Sequence, residues 1–473
     1  MLFNSLPYFF LFSITYLVYW NVNQRAKRIT LIIASIAFYG FFSIPFLFHF
    51  IGIVVINYLF SNQLWKMKEQ GRDTAGLLRW VVALNVINLG VFKYFYFVTD
   101  SIYFFTGAQG VQEVAKSWDI FLPLAISFYS FQLIALQVDI HRNLNKEKIS
   151  FPDYFIFILF FPQLIAGPIM RTDNFLPQLN NPTIDADRMK KGLFLIISGL
   201  FKKVVIAETV SSIINPLYLN PSAYDPYSLA LGLFGFACQI YCDFSGYTDI
   251  ARGSANLLGY EIPENFRAPF FSTSMKDLFR RWHVTLSTWL RDYIYIPLGG
   301  GKTSLAKSNL NLVITNVLGG LWHGANIGFV LWGLYLGLFI SLETWLEKLM
   351  GNRKIPDWKI VKVLQVLYAF TLFSFSAIFF RCASRGSESL ATTWEYATSL
   401  FRLPGNTMTL DRVDEIWTFM VLAFIFNAFQ YSDYIYNKLK PLQNYLLPIC
   451  GVIMLLLLGV FGDSGNDFIY FQF

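Results

Sequence analysis

Runs of about twenty apolar residues recur along this chain, and each is long enough to cross the roughly 30 Å hydrocarbon core of a bilayer as a helix. The candidate spans are 6–22, a pair within 29–62 broken near Pro45, 80–105, 119–140, 193–214, 227–247, 310–342, 361–380, 414–431 and 444–461. Lipid offers no partners to backbone N–H and C=O groups, so such runs must fold as helices that satisfy themselves. Hydrophobic residues make up 55% of the 473 and charged residues 14%, whereas soluble domains carry about a quarter charged. The expected fold is an all-α polytopic membrane protein with about ten to twelve membrane helices, supplemented by re-entrant and interfacial amphipathic helices.

The net charge of +7 is explained by loops that collect Lys and Arg on the cytoplasmic side, with no need of a nucleic-acid partner. Basic loops follow 6–22 (Arg25, Lys27, Arg28) and 29–62 (Lys66, Lys68, Arg72, Arg79), and neutral loops alternate with them, which places the N-terminus outside. The N-terminal run has no basic n-region and no small-residue cleavage site, and reads as a retained first span. FIFILFFPQLIAGPIM, broken by Pro162, Gly167 and Pro168 and basic on both flanks (Lys146 among them), reads as a re-entrant or surface-lying segment rather than a full crossing. Residues 381–413 read as an extramembrane loop. Cys238 and Cys242 share a helical spacing, but no His accompanies them, and no metal site is expected.

One stretch is too charged for lipid. Ser274 and Asp277 match a capping box, and Met275, Leu278, Phe279, Trp282, Leu286, Trp289 and Leu290 recur at helical spacing up to Arg291. Arg280, Arg281, His283 and Arg291 belong to this amphipathic helix. From pattern alone, a basic face lying on anionic lipid explains it better than a functional site does.

Two further groups of polar residues sit inside apolar runs. QIYCDFSGYTD places Asp243 and Asp249 in a span, either on a substrate path or paired with Lys or Arg to hold helices together; Lys93, Lys202 and Lys203 raise the same alternatives. LGGLWHGAN interrupts the long run 310–342, which reads as two partial helices meeting at a break with His323 deep in the protein. An imidazole in dry surroundings stays neutral and available as a base near pH 7. A structural hydrogen-bonding role is the competing reading, and no GxSxG or HExxH motif is present.

RRWHVTLSTWLRDYIYIPLGG and LGGLWHGANIGFVLWG, with QIYCDFSGYTDIA, IPENFRAPF, LPLAISFYSFQ, FPQLIAGPI and the ending DFIYFQF, resemble the signature of the membrane-bound O-acyltransferases. The likeness is strongest to the bacterial branch that acetylates alginate and peptidoglycan or D-alanylates teichoic acid, and within it to the alginate type. It implies a single domain over 1–473, with N-terminal helices to 148, a core over 149–345 and C-terminal helices beyond. It also implies a central funnel, a catalytic histidine at His323 and a second functional histidine at His283.

The resemblance further implies that an acyl group held as a cytoplasmic thioester, on coenzyme A or a phosphopantetheinyl acyl carrier protein, passes to a hydroxyl reached from the other face. No cofactor is permanently bound in this reading. Arg280, Arg281 and Arg291 would attract the phosphate-bearing donor, while Trp322 and Asn326 would orient His323 and Asp243 would contact substrate. Backbone amides at Gly319–Gly324 are candidates for stabilising the oxyanion. The expected partners are the bilayer of the bacterial cytoplasmic membrane and an extracytoplasmic acyltransferase or polysaccharide-modifying protein. A D-alanyl transferase and a non-catalytic transporter of polar substrates are the alternatives.

Overall fold

Every regular element among the described residues is a helix; one isolated bridge joins Tyr224 and Met408. The structure, a computed structural model, describes all residues except 146, 166, 352–354, 404, 406, 432–442 and 462–473. Lys146 and the DFIYFQF ending therefore lie outside the described residues. Among the described residues six helical stretches are long and apolar enough to cross a membrane: Ile44–Glu69, Ala75–Thr106, Pro226–Leu257, Ile327–Met350, Lys359–Ser399 (which bends at Gly386 before the helix Ser389–Ser399) and Val413–Gln430. Shorter apolar helices lie at Leu6–Trp20 and Tyr445–Val460. This count is below the number of apolar runs. The run 119–140 yields only the 16-residue helix Ile126–His141, and 193–214 is divided by a π-helical turn, Phe201–Ala207, that carries Lys202 and Lys203.

The chain forms two compact units. The first comprises Met1–Ile196 with Thr248–Pro263. Within it the Tyr8 hydroxyl donates to Ser254 Oγ at 2.8 Å, and the hydroxyls of Tyr19 and Tyr260 meet at 2.7 Å. A buried amide network ties Asn57, Asn85, Gln137 and Ser61 together. The Phe151–Leu159 helix stops before Pro162, and the following residues continue buried without regular helix, as the interrupted run predicts.

The second unit comprises Ile197–Tyr247 with Glu264–Phe473. It holds most of the 32-residue helix Pro226–Leu257 and the helix pair Leu305–His323 and Ile327–Met350. This pair approaches closely because glycines face backbone: a Cβ on Gly320 would lie 2.2 Å from the Phe329 carbonyl oxygen, and one on Gly333 2.4 Å from that of Asn316. The second member is long enough to cross the membrane by itself, so only the break between the helices, and not their shortness, matches the reading of 310–342.

The expected loop 381–413 instead contains the helix Ser389–Ser399. Its buried face is built from Thr392, Thr393 and Tyr396, with the Tyr396 hydroxyl donating to the Leu229 carbonyl at 2.8 Å. Small polar residues that hide in a protein interior do not register as an apolar run, so hydropathy misses this helix.

Candidate active site

His323 is the last residue of the Leu305–His323 helix, and its position follows from how the next helix begins. The Asn326 side chain caps that start, accepting from Gly328 N at 2.8 Å and from Ser389 Oγ at 2.9 Å while donating to the Gly386 carbonyl at 2.8 Å. The sharp break therefore falls at Gly324–Asn326 and leaves His323 buried, with 7% of its surface exposed. Its ring stands edge-on to Trp322 at 5.0 Å, Trp332 at 5.1 Å and Phe380 at 5.3 Å. Gly319 and Gly320 lie within the helix, where amides are committed to the helical ladder; Gly324 is the glycine at the break.

The charged stretch is not one helix. Met275–Arg281 is capped by Ser274, whose Oγ accepts from Asp277 N at 3.0 Å, but the chain then extends at Trp282 and turns left-handed at His283 (φ 43°, ψ 53°) before Val284–Leu290 resumes. The IPENFRAPF segment holds this kink. Val284 N donates to the Asn265 carbonyl at 3.0 Å, Thr285 Oγ1 donates to Asn265 Oδ1 at 2.6 Å, and Arg267 N donates to the Arg281 carbonyl at 2.9 Å. A left-handed non-glycine residue costs on the order of 1–3 kcal/mol and persists only where its surroundings impose it.

The kink turns His283 inward. It is 2% exposed, edge-on to Phe244 at 4.7 Å and to Trp322 at 5.7 Å, and neither ring nitrogen meets a hydrogen-bonding partner among the described residues. Burial lowers its pKa to about 3, so the imidazole is neutral.

His283 and His323 open into one cleft of about 920 Å³. Leu286, Leu290, Leu312, Leu336 and Ile340 supply apolar wall, and Arg267, Lys276, Arg280, Arg291 and Lys348 supply positive charge against one acid, Glu347. Lys276 is bridged to Glu347 at 2.6 Å. Arg280 and Arg291 thus line the cleft, with Arg291 also held to Asp292 at 2.7 Å.

The other candidates sit elsewhere. Arg281 is tied to Asp277 at 3.0 Å and is not among the lining residues. Trp322 stands between the two histidine rings without lining the cleft, and Asn326 serves as the cap already described. Asp243 pairs with Lys203 at 2.7 Å in a buried site where Glu208 lies 3.8 Å from the same ammonium, which realises the pairing alternative and takes Asp243 away from the cleft. Lys93 donates to Ser127 Oγ at 3.0 Å. Sequence reasoning missed Lys276, Lys348 and Trp332. Lys276 reads only as part of the polar face of the charged helix and Lys348 as charge at the end of an apolar run, and a tryptophan in an apolar helix gives no sign of which neighbour it will meet. Among the described residues no group of three or more His, Cys, Asp or Glu is placed to hold a metal.

The family model of the membrane-bound O-acyltransferases (MBOAT) matches residues 31–384. A probable alginate O-acetylase AlgI of Pseudomonas aeruginosa is 33% identical over 455 residues, covering 94% of this chain and 84% of that protein. A peptidoglycan O-acetyltransferase of Helicobacter pylori is 28% identical over 524 residues, covering 100% and 98%. A teichoic acid D-alanyltransferase of Bacillus subtilis is 29% identical over 269 residues, covering 53% and 67%. The matched region contains both the kinked segment with His283 and the helix break with His323, and the chain belongs to the membrane-bound O-acyltransferase family as an integral membrane O-acyltransferase.

Proposed function

We propose that this O-acyltransferase moves an acetyl group from a cytoplasmic thioester, carried by coenzyme A or a phosphopantetheinyl carrier protein, to a hydroxyl on the way to an extracytoplasmic polysaccharide. The observation that carries this reading is the single cleft in which two buried histidines stand behind a cationic lining. Arg280, Arg291, Lys276 and Lys348 suit the phosphates of such a donor. His323 takes the proton of the acceptor hydroxyl, the oxygen bonds to the thioester carbonyl carbon, and the C–S bond breaks. The departing thiolate then recovers that proton from the imidazolium, so no acyl-enzyme is needed. General-base help of this kind contributes roughly two to four orders of magnitude; positioning in the cleft supplies more.

In this reading the chain works as one domain over 1–473 in the bacterial cytoplasmic membrane. The alternation of basic and neutral loops supports an N-terminus on the outer face, and an extracytoplasmic acyltransferase or carrier would receive the acyl group or pass it to the polymer. The names of the alginate and peptidoglycan relatives favour acetyl over D-alanyl.

The test supplies the purified protein in nanodiscs with labelled acetyl-coenzyme A and, separately, acetyl- and D-alanyl-charged carrier protein, and follows thioester loss and label transfer to hydroxyl acceptors. Loss confined to wild type, with His323→Ala inactive but folded, is the expected result. Equal consumption by both proteins sinks the general-base role and moves a transport function ahead; use of the D-alanyl donor alone reassigns the acyl group.

A further inference from the structure

The helix Lys359–Cys382 has 24 residues and is about 36 Å long. That is enough to bring its last turn, with Arg381, to the headgroup level of a bilayer whose hydrocarbon core is roughly 30 Å thick. The chain then bends at Gly386 (φ 58°) and continues as the helix Ser389–Ser399, which buries Thr392, Thr393 and Tyr396 but leaves Leu390 and Trp394 49% and 73% exposed. Exposed Leu and Trp beside a membrane span mark a helix lying in the interface. Arg381 and Arg385 therefore stand at the depth of phospholipid phosphates.

Arg381 meets neutral groups among the described residues. Its Nη1 donates to Ser384 Oγ at 2.9 Å, its Nη2 donates to Asn215 Oδ1 at 2.8 Å, and its guanidinium lies 5.8 Å from the centre of the Tyr218 ring. Arg385 is bridged to Glu388 at 3.0 Å, with side chains 32% and 67% exposed. The Nε atoms of both arginines are buried and meet no acceptor among the described residues. Two guanidinium groups close enough to repel one another thus share one exposed carboxylate. A guanidinium presents its N–H donors as a planar fork that matches phosphate, and charge at membrane depth persists where a partner meets it.

The segment that carries these arginines is fastened to the helix break. Asn326 donates to the Gly386 carbonyl and accepts from Ser389 Oγ. A Cβ on Gly328 would lie 2.8 Å from that of Ala383, and Phe380, next to Arg381, stands 5.3 Å from the His323 ring. We infer that Arg381 and Arg385 hold the phosphate of an anionic phospholipid, and that this lipid steadies the Asn326 cap on which the position of His323 depends. A zwitterionic headgroup is the poorer ligand, because it brings an ammonium to a place already in excess of positive charge. Each cation beside an anionic lipid contributes about a fivefold preference. The effect on turnover rests on the acyl-transfer reading of the His323 site; the lipid site does not.

The test places the full chain in nanodiscs of phosphatidylcholine alone and of phosphatidylcholine mixed with phosphatidylglycerol. It reads the lipid retained in native mass spectra, the melting temperature and the rate of acetyl transfer. Wild type should retain phosphatidylglycerol and melt higher in its presence. Arg381→Gln and Arg385→Gln should each lower that retention about fivefold and lose the rise in melting temperature. Arg412→Gln, which removes an exposed arginine paired with Glu415, is the control and should retain lipid as wild type does. If Arg381→Gln fails to fold, Arg385→Gln and Arg381→Lys decide: the first should lose the lipid and the second, which keeps the charge, should hold most of it. Equal retention in wild type and the folded Gln variants overturns the inference. So does inorganic phosphate raising the melting temperature in phosphatidylcholine alone as much as phosphatidylglycerol does, which would make the ligand a free anion. Acetyl transfer that rises with phosphatidylglycerol in wild type but not in Arg385→Gln supports the link to Asn326, and transfer indifferent to a lipid that is retained overturns that link. If wild type transfers no acetyl in either lipid, the proposed function fails, while lipid retention still decides the site.

Discussion

The Trp332 indole stands at 89° to the His323 imidazole with ring centres 5.1 Å apart, and its Nε1 donates to Ser376 Oγ at 3.1 Å. One helix thus supplies the wall against which the other presents its histidine, and a hydrogen bond to a third helix fixes the rotation of that wall. Trp332 is a positioning residue in this arrangement. Trp332→Phe keeps a ring but loses the hydrogen bond and part of the surface, and should lower kcat several-fold while moving the KM for donor little. Ser376→Ala should shift the same parameter less. A change confined to KM would show instead that Trp332 contacts the donor.

Close approach of the two helices that meet at the break depends on Gly320 and Gly333. A Cβ at either meets backbone oxygen at 2.2 or 2.4 Å, and backbone cannot rotate away as a side chain can. Gly320→Ala and Gly333→Ala should each lower stability by about 1–3 kcal/mol, read as a drop in melting temperature in detergent, and activity should fall with it because His323 ends the first helix. Gly76→Ala, where a Cβ meets nothing within 4 Å, is the control and should be neutral.

The parts of the site that were legible in the sequence are those written in local contrast. His323 stood out because LGGLWHGAN interrupts an apolar run with glycines and one imidazole, and the structure places the helix break there. The kink at His283 was not legible. It is imposed by Asn265, about twenty positions earlier in the chain, and the periodicity of 274–291 reads straight through it. The periodicity groups Arg281 with Arg280, although Asp277 four residues before it marks an i,i+4 partner. The amphipathic pattern describes which face a residue is on but not whether its charge is already matched.

That distinction between neighbouring arginines is measurable. Arg280 is exposed on the cleft lining, whereas Arg281 is bound to Asp277 with side chains 30% and 23% exposed. Arg280→Ala should raise the KM for a phosphate-bearing donor about tenfold at low salt, the scale of one lost charge-assisted hydrogen bond, and high salt should shrink the difference. Arg281→Ala should leave KM within about twofold and cost at most about 1 kcal/mol of stability.

Burial holds the His283 pKa near 3, below its ordinary 6.5. The folded protein therefore refuses a proton that the unfolded chain accepts below about pH 6.5, so this contribution to stability is complete above that pH and declines as pH falls towards 3. Melting temperatures taken from about pH 7.5 down to about pH 4.5 should decrease in wild type and decrease less in His283→Gln, which cannot take up the proton. Identical slopes for the two proteins would mean that His283 is hydrated in the folded state.

Asp243 offers the clearest separation of a structural acid from a substrate-binding one. Its carboxylate lies 2.7 Å from Lys203 Nζ, with side chains 6% and 0% exposed, and it does not line the cleft. Asp243→Asn removes the nearer of the two carboxylates around that ammonium and leaves Glu208 at 3.8 Å. Breaking a buried pair from one side costs about 3–5 kcal/mol because a charge is left poorly compensated. The variant should therefore show reduced yield and a lowered melting temperature, while kcat/KM per folded molecule stays within a few-fold of wild type. A variant that folds normally but no longer transfers acyl groups would instead return Asp243 to the substrate path on which the apolar context of QIYCDFSGYTD first placed it.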